Sequence, residues 1–428
     1  MKLNEIIDIV KASGADAWEI TDTREEGWEF YFIRRRLDQN RAKLVEHIRV
    51  TVYKKSEDGQ FLGSASGEIA PTADEAEARS IVDGLLHNAA YVRNPFYTLN
   101  GPFEGMDQAG NEPVDPAAVA KDFIEAVRAV PETATEDINS WELFVSALNR
   151  RFVNSEGVDV TSGYPSCMLE AVINARRDGH EIELYRLYKS GGCDRETLSR
   201  DIGEVLRFGK DKLIAGNTPN LGKADVVFST DAALEIYEWF ATRMNAAFKA
   251  RGLSDWEANK PVAEGATGDR ITLTAVKRLP NSSRNAACDA EGAPVRETVL
   301  IQDGIAKRFL GNRQFSQYLG LTESFQPGNL TATGGSQSAE ALRQGQFLEV
   351  VEFSDFQVNP MNGDIAGEIR LAYWHDGDTV TPVSGGSVTG TMADFAKTMR
   401  MSRELRQYDC WLIPAVTRLS GVTVTGAV

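Results

Sequence analysis

Glu235 and Glu238, three residues apart, are the carboxylate pair in this chain best spaced for chemistry. On a helix that spacing puts both side chains on one face. Two carboxylates so placed can pass protons or hold a hard cation. Leu234, Tyr237 and Phe240 line another face of the same segment. Catalysis would also need a histidine or a third oxygen ligand nearby, and the segment supplies neither. Two glutamates on a solvated helix face are the commoner meaning of such a pair. Histidine is scarce, with only His47, His87, His180 and His375, none within four residues of another. A helical His-x-x-x-His or His-Glu-x-x-His zinc site is therefore absent. There is no Gly-x-x-x-x-Gly-Lys-Ser/Thr phosphate loop and no Gly-x-Ser-x-Gly nucleophile elbow. Cys410 has no histidine near it in sequence and reads as a buried structural thiol.

The elements around these residues can be read from periodicity and punctuation. Residues 2–13 predict a helix with Leu3, Ile6, Ile7 and Val10 on one face and Gly14 just past its end. Residues 15–66 read as strands, with Asp58-Gly59 as a hairpin turn. Thr72 and Glu75 form a capping-box pattern for a helix running to about Val92. Asp115-Pro116 opens another helix. Strands return over 138–190, and Asp194 starts a helix reaching about Phe208. A polar, Gly/Pro/Asn-containing stretch at 209–223 marks a boundary, giving domains 1–215 and 216–428. Beyond it a buried-type strand at 224–229 leads into a long helix from Ala232 to about Lys249. Short strands and turns follow, with one late helix near 392–403. The fold class is α+β: an N-terminal antiparallel sheet with helices, then a mostly-β region with a long helix near its start.

Composition narrows the function classes. Lys and Arg total 46 against 62 Asp and Glu, a net charge of −16, which repels phosphate backbones and argues against nucleic-acid binding. Arg34-Arg35-Arg36 is a local exception and reads as a solvated strand end. The longest apolar runs, such as Val226-Val227-Phe228, are too short to span a bilayer, so no membrane partner is expected. No secretory signal is visible. The four cysteines are scattered singly, which suits a reducing cytoplasm.

The segment 359–390 is dense in Asn-Gly, Asp-Gly and Gly-Gly pairs separated by short alternating stretches. There Ile365, Ile369, Leu371 and Tyr373 are expected on one side, with Ala366, Glu368, Arg370 and Ala372 between them. His375, beside the Asp376-Gly377 turn, reads as a turn residue with a satisfied nitrogen rather than a base or ligand. Three further motifs accompany the segment: Asn154-Ser-Glu-Gly-Val-Asp-Val160, Asp289-Ala-Glu-Gly292, and the closing Leu419-Ser-Gly-Val-Thr-Val-Thr-Gly426. In this order and spacing they resemble the TldD/PmbA family, the modulator-of-gyrase or peptide-maturation proteins, over nearly the whole chain. The resemblance implies a two-domain α+β architecture and a dimer, commonly of one TldD-type and one PmbA/TldE-type subunit. It implies that the TldD type binds zinc through a His-Glu-x-x-x-His helix and cleaves unfolded peptides. The matching element here is 226–244, which holds Leu234-Glu-Ile-Tyr-Glu-Trp-Phe240 and no histidine. The chain thus looks like the PmbA/TldE type: no metal and no cofactor of its own, zinc in a TldD-type partner. Alternatives are a self-sufficient homodimeric peptidase with a site around Glu235 and Glu238, and a non-enzymatic peptide- or protein-binding homodimer. Tyr237, Trp239, Asn359, Asp364, Tyr373, Trp374 and His375 are the candidate contacts for substrate or partner.

Overall fold

Long period-two stretches build the first half. In the computed structural model, which describes residues 1–104, 106 and 115–427, strands β1 (Ala17–Ile33), β2 (Arg36–Lys55), β3 (Phe61–Ile69), β4 (Asn94–Pro95), β5 (Glu136–Asn154), β6 (Asp159–Arg177) and β7 (His180–Ser190) form one antiparallel sheet. Their order is β4-β3-β2-β1-β5-β6-β7. Alternate residues of β1 reach one face. There Trp18 and Ile20 meet helices α1 (Leu3–Ala12) and α2 (Glu75–Ala89), while Phe32 meets α3 (Pro116–Ala129) and α4 (Arg195–Lys212). Each of the three later helices starts where an aspartate can cap it: Asp74 accepts from the amide of Glu77, Asp115 from Ala117, and Asp194 from Thr197. The first of these corrects the sequence reading, since Asp74 rather than Thr72 is the cap, and the helix begins at Glu75.

The second half begins with β8 (Gly216–Asn217) and β9 (Gly222–Phe228), a 3-10 turn at Asp231–Ala233, α5 (Leu234–Arg243) and α6 (Ala246–Ala250). The expected long helix is broken at Met244 and Asn245. Asn245 adopts an extended backbone and its Oδ1 accepts the amides of Ala247 and Phe248. The backbone there pairs instead with a distant residue: the Ala246 amide donates to the Leu310 carbonyl at 2.8 Å, and the Leu310 amide to the Met244 carbonyl. A contact some sixty residues away overrides local helix propensity.

Next come β10 (Thr272–Val276), β11 (Thr298–Gln302), β12 (Ile305–Ala306), α7 (Arg313–Tyr318), β13 (Asn329–Thr333), β14 (Phe347–Val358), β15 (Asp364–Asp376), β16 (Thr379–Ser384), β17 (Ser387–Thr391), α8 (Met392–Thr398), β18 (Arg400–Met401), β19 (Leu405–Tyr408), β20 (Trp411–Pro414) and β21 (Thr417–Thr425). One sheet runs β12-β11-β10-β13-β20-β19. The other runs β14-β9-β21-β17-β15-β16-β8, and a further β14–β15 pairing closes five of its strands into a ring. A large apolar core that includes Phe228, Phe240, Leu273, Ile365 and Val424 fills this half.

The β14–β15 register skips Val351 and Ser354 on one strand and Arg370 on the other. Such a bulge reverses which way the following side chains point. Ile365 and Ile369 enter the C-terminal core as expected, but Leu371 and Tyr373 turn to the opposite side and pack with the α3–α4 core of the first half. Val351 joins them there. The two halves therefore share buried apolar surface. Among the described residues, no helix is long and apolar enough to cross a membrane.

Candidate functional site

On α5 the side chains divide by burial. Ile236, Tyr237, Trp239 and Phe240 are buried, Glu235 is half-buried and Glu238 is exposed. Tyr237 is fully buried, and its hydroxyl shares a 2.6 Å hydrogen bond with Thr417 Oγ1. It is a core residue, out of reach of any substrate. Trp239 packs edge-on against Phe240 and Trp256, and the Arg243 guanidinium lies over both indoles at 5.4 and 5.3 Å. Gly363 comes so close to this indole that an added Cβ would sit 3.2 Å from its nitrogen. Trp239 thus serves as the floor under the Asn359–Gly363 turn.

Glu238 has its carboxyl pushed above the usual range, by crowding from the protein first and by Glu235 second. Zinc prefers thiolate and imidazole ligands in a closed or nearly closed tetrahedron. This helix offers two carboxylates. Cys410, close enough for Glu238 to act on it, has its thiol pushed up to about 11 by burial, so it stays protonated. Among the described residues no group of three or more His, Cys, Asp or Glu side chains is arranged to hold a metal ion. The donor set does not fit a zinc centre.

The remaining candidates are not brought together. Asn359 and Asp364 close a turn: the Asn359 amide donates to the Asp364 carbonyl at 2.8 Å, Asn359 Oδ1 accepts the Met361 amide, and the Asp364 carboxylate accepts from the Asn362 side chain. Tyr373 faces the first half, where its hydroxyl donates to Asp211 at 2.6 Å. Trp374, one residue on, packs against the C-terminal core. His375 stacks on Phe347 at 4.1 Å and lies 3.7 Å from Glu349, which also accepts from Ser229 and Arg343. Burial holds its imidazole below the ordinary value, against the pull of Glu349.

What the sequence did not reveal is that two of its motifs make the same loop. Asn154 Oδ1 accepts the amides of Glu156 and Val158, and Asp289 Oδ1 accepts those of Glu291 and Ala293. In each loop the glycine three residues on, Gly157 or Gly292, sits at positive φ, which a side chain would strain. The loops come from opposite halves and pack together. Gly292 presses on Phe152 and Val158, Arg150 donates to the carbonyls of Asp289 and Ala290, and Asn100 bridges from Asn154 to Glu291. Shared Asx-x-Glu-Gly spacing is the signal that could have found this pairing.

Glu291 is the titratable group at this junction. Its carboxylate accepts the Arg313 amide at 2.7 Å, yet burial first, then Asp289 and Glu19, raise its pKa to about 7. A carboxyl raised on folding stabilises the fold most below its unfolded value near 4.5, and that contribution is lost as pH rises through about 7. The difference is on the order of 3 kcal/mol. Urea titrations at pH 5 and 8 should therefore show wild type losing stability with pH more steeply than Glu291→Gln.

Beside α5 a cavity of about 140 Å³ has Phe240, Ile271, Ile305, Ala396 and Met399 in its lining, with Asp269, Arg270 and Asp303 also present. Asp269 is already engaged by the Met401 amide and Arg400. The space suits one apolar side chain and presents no activated nucleophile.

Residues 221–426 match the PmbA/TldA metallopeptidase C-terminal domain. Over that C-terminal half the chain belongs to the TldD/PmbA family. An uncharacterized protein of Methanocaldococcus jannaschii is 23% identical over 286 residues, 62% of this chain, and the chain spans 64% of that relative's length. The fold is similar to that of TldE from Thermococcus kodakarensis, with a TM-score of 0.75 at 16% identity, covering 99% of this chain and 100% of that one. It is equally similar to a Thermotoga maritima protein described as a proposed modulator of a DNA gyrase: TM-score 0.76, 15% identity, 99% of both chains. These likenesses concern the fold. Within the TldD/PmbA framework, the motifs of this chain hold turns and join its halves.

Proposed function

We propose that this chain is the non-catalytic, PmbA/TldE-like subunit of a TldD-type zinc metallopeptidase complex that degrades or matures unfolded peptides in the cytoplasm. The observation that carries this reading is α5. At the element where a TldD-type subunit is expected to hold zinc, this chain has no histidine and turns Tyr237 and Phe240 inward as core. A water activated at metal needs ligands and an open position, and this packing supplies bulk instead. The likeness in fold to TldE from Thermococcus kodakarensis supports it.

The test is co-expression with a His-Glu-x-x-x-His sibling from the same source. The two chains should elute together, and the sibling should cleave unfolded peptide faster with this chain than without it. Separate elution with unchanged cleavage refutes the proposal. The competing reading, a self-sufficient peptidase using Glu235 and Glu238, makes the opposite forecast for the isolated chain. We expect Glu235→Ala to leave its metal content, by elemental analysis, and its peptide cleavage unchanged from wild type.

A further inference from the structure

β2 leaves more than half of its length without a neighbour on one side. β3 pairs with it only from Ile48 to Lys55, so among the described residues 36–47 have β1 on one side and no strand on the other. At about 3.3 Å per residue that open edge is roughly 40 Å long. Edges of this kind are ordinarily kept short, covered or guarded by charge, because their free N–H and C=O groups recruit other strands. This one has a bulge at Asp38 and cations along it, but it is also flanked by exposed apolar side chains: Leu44 at 64%, Leu37 at 42% and Trp28 at 37%.

The two faces of the edge differ. Leu37, Ala42 and Leu44 lie on the face shared with Trp28 and Phe30, in the gap between the α1–α2 and α3–α4 layers. On the other face Gln39, Arg41, Lys43, Val45 and His47 form the outermost row, with side-chain exposures of 64%, 37% and 58% for Arg41, Lys43 and His47. Their partners Glu29, Glu25 and Glu68 belong to the neighbouring strands, so a strand added outside β2 meets the cations Arg41 and Lys43 first. A second copy of the chain, docking its own β2 antiparallel, would set one cationic row against another, which is destabilising.

We infer that residues 36–47 of β2 accept an extended peptide by strand addition, one whose acidic residues alternate with apolar residues. Main-chain hydrogen bonds supply affinity. The acidic residues face Arg41 and Lys43, and the apolar ones cover Leu37, Ala42 and Leu44. The inference rests on the peptide-handling role proposed above and names where and what kind of segment this subunit holds.

The experiment is a fluorescence-anisotropy titration of the full chain alone with a labelled decapeptide in which leucine and glutamate alternate. One comparator is a block peptide of the same composition, all its leucines first and all its glutamates after. Two more are forms of the alternating peptide, N-methylated on every leucine or on every glutamate. In one added strand, alternate amides point to one edge, so one methylated form should bind about as well as the parent and the other at least about tenfold more weakly. The block peptide and the R41E/K43E variant should each weaken binding about tenfold or more. Folding of the variant is checked by circular dichroism, and the peptide comparators need no variant. Equal binding of both methylated forms, or of the block peptide, overturns the inference. So does sedimentation showing a wild-type dimer that R41E/K43E dissociates, since a second copy would then occupy the edge. If the titration fails while co-elution with the sibling holds, only the edge assignment falls. If co-elution fails while the titration holds, only the subunit reading falls.

Discussion

Asp289→Ala is expected to lower the stability of the chain by about 3–5 kcal/mol, the scale for stranding several buried hydrogen-bonding groups at once. The carboxylate is 7% exposed and accepts three backbone amides, from Glu291, Ala293 and Gln326. Alanine leaves all three donors without a partner in a place water does not reach. It also loosens the carbonyls of residues 289 and 290 that Arg150 grips from the other half. Urea unfolding measures the loss, and limited trypsin digestion should cut the 281–294 region earlier than in wild type. Asp289→Asn is the control. Asparagine performs the same capping at position 154. Burial raises the Asp289 carboxyl, against the pull of the three backbone amides and Arg150. Asp289→Asn keeps the two Oδ1 contacts to Glu291 and Ala293 but sets an N–H against the Gln326 amide, so its loss should be intermediate; a loss equal to that of alanine would show that the Gln326 contact and the charge, rather than the Oδ1 turn, hold the junction.

Arg186→Met is expected to cost a similar 3–5 kcal/mol, because it leaves a buried carboxylate without its partner. Arg186 reaches from β7 to Glu352 on β14 and to Asp231, with side-chain exposures of 13% for the arginine and 9% for Glu352. Burial is the first influence on both members. It raises the Glu352 carboxyl to about 7, even with the guanidinium beside it. Removing both charges should be far milder: R186M/E352M ought to recover most of the loss, since well-packed apolar side chains replace buried ion pairs at little cost. A double-mutant cycle by urea unfolding gives the coupling directly. No recovery in the double variant would mean that the two side chains matter for packing and not for their charges.

Much of the fold is legible in the sequence because its causes are local. Aspartates before helical stretches, glycine after residue 13, Asp-Gly between alternating runs and period-two burial in β1 all act within a few residues, and each produced the element expected. The absence of a zinc-binding pattern was equally local, since four isolated histidines cannot supply a helical pair.

The rest depended on partners far away in the chain. Leu310 broke the helix at Met244 and Asn245. The bulge at Arg370 turned Leu371 and Tyr373 toward the first half. Burial took Tyr237 and Trp239 out of the candidate surface. The Asn154 and Asp289 loops resemble each other in sequence, but their packing through Gly292, Arg150 and Asn100 is not written there. The open edge of β2 became visible only once β3 was seen to stop at Ile48. Sequence by itself therefore determined most of the elements and the family motifs, through forces that act within a turn or a strand. Tertiary structure alone decided which faces are buried and which edge stays free, because burial and strand pairing are settled by residues that sequence does not place side by side.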